Sequence, residues 1–237
     1  MGGTGAARVA RITLAPGPLA DLAAPACASL VASLTRLADD PPRALLVDAP
    51  AGVGAEEPRP LTPAGLCDPA ALLAQFPAPT VAVWDGPAIG AGAEVVLAAD
   101  VRVVGEHATM AFPEVAAGAL PCWGGTQRLT RAAGVALALR LLVVGEVADA
   151  RVLERSGVAI CASDPEEHAR ELADRLAAGA PRAQAAAREA VLRGRDLTIA
   201  DGHRLESDLN LLLSTTRDRA EGIAAFFEKR APTFEGE

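Results

Sequence analysis

Residues 79–134 read PTVAVWDGPAIGAGAEVVLAADVRVVGEHATMAFPEVAAGALPCWGGTQRLTRAAG, and this stretch decides the fold. Val81 to Trp84 is a short apolar run that stops at Asp85, Gly86 and Pro87, a cluster that ends a strand. Gly90, Ala91, Gly92 and Ala93 then carry almost no side chain, so backbone N–H groups can approach a ligand closely there. Glu94 is read as opening a helix that runs through Ala99, and a helix start favours negative charge. After Asp100, Val101 to Val104 predicts a second strand, and a loop delivers Phe112, Pro113 and Glu114, with the proline fixing the backbone just before the carboxylate. Either glutamate alone is readily explained as a cap or a partner of the helix dipole. Together, among small residues and followed by Gly124 and Gly125, they read as an acid/base pair around a pocket.

Working outward, Arg8 to Leu14 and Ala44 to Val47 predict strands on either side of an amphipathic helix from Asp21 to Leu37, ended by Asp39, Asp40, Pro41 and Pro42. Strand, helix, strand implies a parallel crossover, with the site at the sheet's carboxyl edge. Val135 to Val144 and Ala148 to Ser156 predict helices, and Val158 to Ala162 a return strand. The rest is helical: Pro165 to Ala178, Arg182 to Arg193, Leu197 to Leu213 and Asp218 to Lys229. Leu209, Leu211, Leu212 and Leu213 are too apolar for a solvated face and need a partner surface, within the chain or on another subunit.

Three blocks then follow one another: GPAIGAGAEVVLAADVRVV, AFPEVAAGALPCWGGTQRLTRAAG and LTIADGHRLESDLNLLLSTTRDRAEGIAAFFEKRAPTF. On them the chain resembles the enoyl-CoA hydratase/isomerase, or crotonase, family over nearly its whole length. The strings GGTQRL at Gly124 to Leu129 and DRAEGIAAFFEKR at Asp218 to Arg230 are the most specific. The resemblance implies an α/β fold, with a crotonase-like ββα spiral core over 1–180 and a C-terminal helical oligomerisation region over 181–237. It also implies a homotrimer or homohexamer, and addition of water to a 2-enoyl-CoA to give the 3-hydroxyacyl-CoA. Glu94 would activate the water as general base, and Glu114 would deliver a proton to the α-carbon. Backbone N–H groups of Ala91 and of Ala55, in Gly54-Ala55-Glu56, would form the oxyanion hole. One such donor is worth about 2.7 to 4 kcal/mol of transition-state stabilisation.

The resemblance further places Gly54, Glu56, Arg59, Gly90, Pro121, Cys122 and Trp123 at the substrate. Cys122 and Trp123 stand where hydratases commonly have glycine and alanine; the indole either narrows the acyl pocket or packs into a core. Glu57 to Phe76 is shorter than the usual loop there, and Arg59 either meets a phosphate or is solvated. Glu206, Ser207, Asp208 and Asn210 replace the basic and aromatic residues that hydratases often offer the nucleotide, which keeps a carrier-protein thioester open as substrate. Retaining both glutamates favours hydration over double-bond isomerisation. Other acyl-thioester chemistry on the same fold and non-catalytic acyl-CoA binding are the alternatives.

Composition narrows the field. A chain of 237 residues buries one core with a helical appendage. A net charge of −8 argues against a nucleic-acid partner, while an anionic CoA ester needs only a few local cations. Cys27, Cys67, Cys122 and Cys161 form no CxxC pair, and His107, His168 and His203 are scattered, so neither a metal site nor a disulfide framework is expected. Val95 stands where a third dinucleotide-binding glycine belongs, and no P-loop occurs. The reading therefore expects no cofactor apart from the CoA of the substrate. The opening MGGTGAARVARITLAP lacks a signal-peptide core and no window is a membrane span, which leads to an expectation of a cytoplasmic protein.

Overall fold

The computed structural model describes residues 9–14, 25–49, 52–54 and 68–237. Its strands, in chain order, are β1 (Val9–Thr13), β2 (Ala44–Ala49), β3 (Thr80–Trp84), β4 (Pro87–Ile89), β5 (Val101–Val104), β6 (Thr109–Ala111), β7 (Ala148–Asp149) and β8 (Ile160–Cys161). The helices are α1 (Pro25–Asp39), α2 (Pro69–Ala74), α3 (Ala91–Ala98), α4 (Gly125–Leu139), α5 (Ala150–Arg155), α6 (Pro165–Ala178), α7 (Pro181–Gly194), α8 (Ile199–Leu213) and α9 (Arg217–Glu228). A parallel sheet runs in the order β1-β2-β3-β5-β8, with Leu46 opposite Val81 and Val83 opposite Val103. β4, β6 and β7 form a second, smaller sheet in which Ile89 pairs with Ala111.

β2 and β3 are apolar without alternation because both faces of the sheet are covered. Leu45, Val47, Ala82 and Trp84 face the main core with Leu30, Leu34, Leu73 and Phe76. Leu46, Val81, Val83 and Val103 face the other way, onto Ala169, Ala173 and Ala177 of α6. That four-residue spacing of alanines lets α6 lie close to the sheet. Asp48, buried at the carboxyl end of β2, is paired with Arg11, whose guanidinium also reaches Glu166 at 2.6 Å.

Several boundaries depart from the sequence reading. α3 begins at Ala91, three residues before Glu94, because Gly90 takes φ 54° and releases the chain straight into helical geometry. β4, β6 and β7 were unread; each is two or three residues long and earns its pairing only from neighbours distant in sequence. Glu114 lies not in open loop but in a 3₁₀ turn, Pro113–Ala117, closed by Gly118 at φ 71°. The helix expected over Val135 to Val144 is the end of a longer one that starts at Gly125, breaks at Gly134 (φ 79°, ψ 165°) and finishes in a π turn, Arg140–Val144. Ala148 belongs to β7, so the next helix starts at Ala150 behind an Asp149 cap, whose Oδ1 accepts from Val152 N–H at 2.8 Å. Residues 21–24, the expected start of the first helix, lie outside the described residues.

Candidate active site

Small residues build the site's floor. Gly90 N–H donates to Ala111 O at 2.9 Å, which ties the start of α3 to the end of β6, three residues before Glu114. Residues 52–54 lie across the same place: Val53 N–H donates to Pro87 O at 2.8 Å and accepts at its own carbonyl from Ile89 N–H at 2.9 Å. A methyl group on Gly54 would collide with Ile89 O, and one on Gly92 with Val53 O, so this crossing closes only with glycine at both positions. Ala91 heads α3, where the first N–H groups have no partner within the helix.

Glu94 sits in the first turn of α3 and is fully buried; Glu114 is 4% exposed. The Glu94 Oε1 atom accepts two backbone hydrogen bonds, from Trp123 N–H at 2.7 Å and from Gly125 N–H at 2.8 Å. Both amides come from the turn that starts α4, where Gly124 adopts φ 87°. A Cβ on Gly125 would stand 2.9 Å from Glu94 Cγ and 3.1 Å from Phe112 Cε1. Glycine at 125 therefore lets three separate pieces of chain meet: the first turn of α3, the turn before α4, and Phe112, two residues before Glu114. Such a buried carboxylate, fixed in plane by amides, can hold and move a proton at a defined place.

Of the residues expected at the substrate, Gly54, Gly90, Ala91, Glu94 and Trp123 converge around the start of α3. Trp123 is 4% exposed and belongs to the main core, and its backbone N–H donates to Glu94. Pro121 is buried and Cys122 exposed. Ala55, Glu56 and Arg59, with Cys67, lie outside the described residues.

The sequence reading missed Arg128. Its Nη1 donates to Trp123 O, while Arg128 N–H donates to Gly124 O at 2.8 Å. Burial lowers the guanidinium's pKa, while Asp68 and Glu94 push it back up. A cation in the first turn of a helix opposes the helix dipole, and that misplacement was the available signal for a specific partner. At the far end of α3, burial lowers the pKa of Arg102, which donates to Ala99 O at 2.6 Å and Val158 O at 2.5 Å and so closes the helix. Nearby Asp100 accepts from Thr80 N–H at 2.9 Å and from Arg188 Nε at 2.6 Å, fastening α7 to the core.

A cavity of about 680 Å³ lies beyond that end of α3, lined by Leu97, Arg128, Arg131, Arg188 and Val191 among others, and another of about 500 Å³ lies beside the Glu114 turn, lined by Ile89, Phe112 and Val147. Neither is lined by Glu94 or Glu114. The two candidate carboxylates lie instead on α3 and on the 3₁₀ turn. Among the described residues, no group of His, Cys, Asp and Glu side chains is placed to hold a metal ion, and no helix is long and apolar enough to cross a membrane.

Residues 61–237 match the family model described as enoyl-CoA hydratase/isomerase. A stretch of 169 residues is 39% identical to the 2,3-dehydroadipyl-CoA hydratase of Escherichia coli (strain K12), covering 70% of this chain and 66% of that protein. Another of 171 residues is 42% identical to the mitochondrial enoyl-CoA hydratase domain-containing protein 2 of Homo sapiens, covering 69% and 59%. The match thus spans less than two thirds of either relative's own length. The crystal structure of an enoyl-CoA hydratase from Bacillus anthracis superposes with a TM-score of 0.85 at 28% identity, over 99% of this chain and 98% of that one.

Proposed function

The chain belongs to the enoyl-CoA hydratase/isomerase family, and from that premise we propose that it hydrates a 2-enoyl-CoA to the 3-hydroxyacyl-CoA, as a hydro-lyase. Glu94 takes a proton from water as the oxygen adds to the β-carbon; Glu114 supplies the proton that the α-carbon gains; in dehydration the two exchange roles. As the thioester oxygen gains enolate character, the Ala91 and Ala55 backbone N–H groups hold it. Nothing in this sequence of steps calls for a cofactor beyond the CoA of the substrate. The observation that carries the proposal is the burial of two carboxylates on segments joined by the Gly90 to Ala111 hydrogen bond, with Glu94 oriented by two amides.

The test follows the conjugated enoyl-thioester absorbance of crotonyl-CoA with wild-type protein, Glu94→Gln and Glu114→Gln. Loss of the band, abolished by either substitution, supports hydration and both roles. An unchanged band in the presence of measurable acyl-CoA binding overturns the reading.

The helical region from 181 onward is proposed to join copies into a homotrimer or homohexamer. Leu211 and Leu212 in α8 are 69% and 67% exposed, and Phe226 and Phe227 in α9 are both 78% exposed, so this apolar surface calls for cover. Light scattering on Leu211→Asp/Leu212→Asp should give the 24.1 kDa of one chain where the parent gives a multiple. A parent that is itself monomeric would defeat the assembly proposal. The location follows the sequence expectation of the cytoplasm, which fractionation of the native source would check.

A further inference from the structure

We infer that Arg128 is a positioning residue for Glu94: its guanidinium grips the carbonyl of Trp123 and so holds the two amides of the Trp123–Gly125 turn against the carboxylate. The inference rests on the hydration reading for its catalytic consequence, but the brace itself does not. The peptide groups involved are consecutive. Trp123 presents its N–H to Glu94 Oε1 and its C=O to Arg128 Nη1, so the residue is clamped from both sides. Gly124 follows at φ 87°, a left-handed geometry that L side chains rarely adopt. A methyl on Gly124 would also displace the Arg128 guanidinium from its place beside the turn, so the glycine is required by its backbone and leaves room for the arginine. Gly125 then delivers the second amide to the same oxygen.

The arginine is itself held. Its own N–H donates to Gly124 O at 2.8 Å, closing the first turn of α4 over the loop it braces. Asp68 and Glu94 are its acidic neighbours, while Arg195 repels it. A planar guanidinium reaches a carbonyl with a fork of donors in fixed geometry, which an ammonium does not reproduce. A loop that starts with a left-handed glycine and a second glycine has little stiffness of its own, and a carboxylate displaced by a fraction of an ångström loses its water. Without Arg128 the Trp123 carbonyl loses its side-chain partner, and the two amides are held to Glu94 only by the packing of the turn.

The experiment compares wild-type, Arg128→Met, Arg128→Lys and Glu94→Gln by kcat and KM on crotonyl-CoA, and by amide hydrogen exchange of the peptide covering residues 121–127. The expected result for Arg128→Met is a fall in kcat of about 10- to 100-fold, the range seen when an orienting partner is lost, with KM within about threefold. Exchange should quicken in 121–127 and stay unchanged at the sheet, and Arg128→Lys should recover part of both signals. A kcat within about twofold of wild type, a loss carried by KM alone, or exchange that quickens equally throughout the chain each overturns the inference. Should Arg128→Met fail to fold, Arg128→Lys and Gly124→Ala read the same quantities, with partial loss and confined exchange expected. If wild-type protein shows no hydration while exchange in 121–127 still quickens, the hydration reading fails and the brace stands. If hydration is present and Glu94→Gln abolishes it while Arg128→Met changes neither signal, the brace fails alone.

Discussion

α3 and α8 are both rich in apolar side chains, yet all eight residues of α3 are buried and none of the fifteen of α8 is. α3 is flanked by α2, α4 and β4, and its first turn carries a catalytic candidate. α8 packs chiefly on α7, which has no buried residue either. Apolar side chains therefore serve two ends. In α3 they bury the turn that carries the carboxylate; in α8 they are surface held out for something else. Small residues make the first possible, since Gly92 lets α3 touch the backbone of Val53 and Gly125 lets its turn meet the side chains of Glu94 and Phe112.

The largest expected effect breaks the comparison at its chemical end. Glu94→Gln or Glu114→Gln should lower turnover by about 10²- to 10⁴-fold while acyl-CoA affinity, read by calorimetry, barely changes. A loss of affinity with intact turnover would leave α3 as scaffold alone.

Next comes a matched pair of leucines. Leu97→Ala, at 4% exposure in α3, should cost about 2 to 5 kcal/mol of stability in urea titrations. Leu212→Ala, at 67% exposure in α8, should stay within about 0.5 kcal/mol at dilutions where the chain is a monomer. Comparable costs at both positions at higher concentration would show that α8 is covered there, by another copy of the chain.

A matched pair of glycines sharpens the same contrast. Gly125→Ala should destabilise by about 1 to 3 kcal/mol and lower kcat, because its Cβ stands 2.9 Å from Glu94 Cγ. Gly202→Ala, inside α8 with its nearest neighbour at 3.9 Å, should stabilise by about 0.5 to 1 kcal/mol. Equal destabilisation at both would mean that α8 is packed as tightly as α3.

The smallest effect lies at the exposed end of α9. The Arg230 guanidinium, and then the Thr233 N–H, hold the Glu221 carboxyl at about 2, below its ordinary 4.5. A carboxyl lowered on folding stabilises the fold above its unfolded value and loses that contribution as pH falls from 4.5 toward 2. The pair is solvent-exposed, so the contribution is small. Glu221→Gln should flatten the acid limb of a thermal-stability profile in that window and leave pH 7 nearly unchanged. No difference from wild type across the window would mean that this end of α9 is as weakly held as α8.

Legibility in the sequence followed the range of the forces involved. β2 and β3 were readable because strands covered on both faces are largely apolar, and α6, α7 and α9 because proline or a side-chain cap marks each start. Glu94 and Glu114 were legible as candidates because breakers precede both. Arg128 was legible only as a cation misplaced at a helix start, since its partner is a backbone carbonyl that no residue pattern names. The three short strands of the second sheet escaped for the same reason: two or three residues carry no period, and their pairing comes from distant chain.

Composition and local pattern, by themselves, determined the parallel α/β sheet, the helical C-terminal region and the two acids, because burial and chain stiffness act along neighbouring residues. Only the tertiary structure decided that Glu94 is held by Trp123 and Gly125, that the indole of Trp123 lies in the core, and that the chain itself leaves α8 uncovered while it encloses α3. Those outcomes depend on which surfaces remain when every other segment has packed, and a hydrogen bond between residues 31 positions apart becomes specific only once the chain has brought them together.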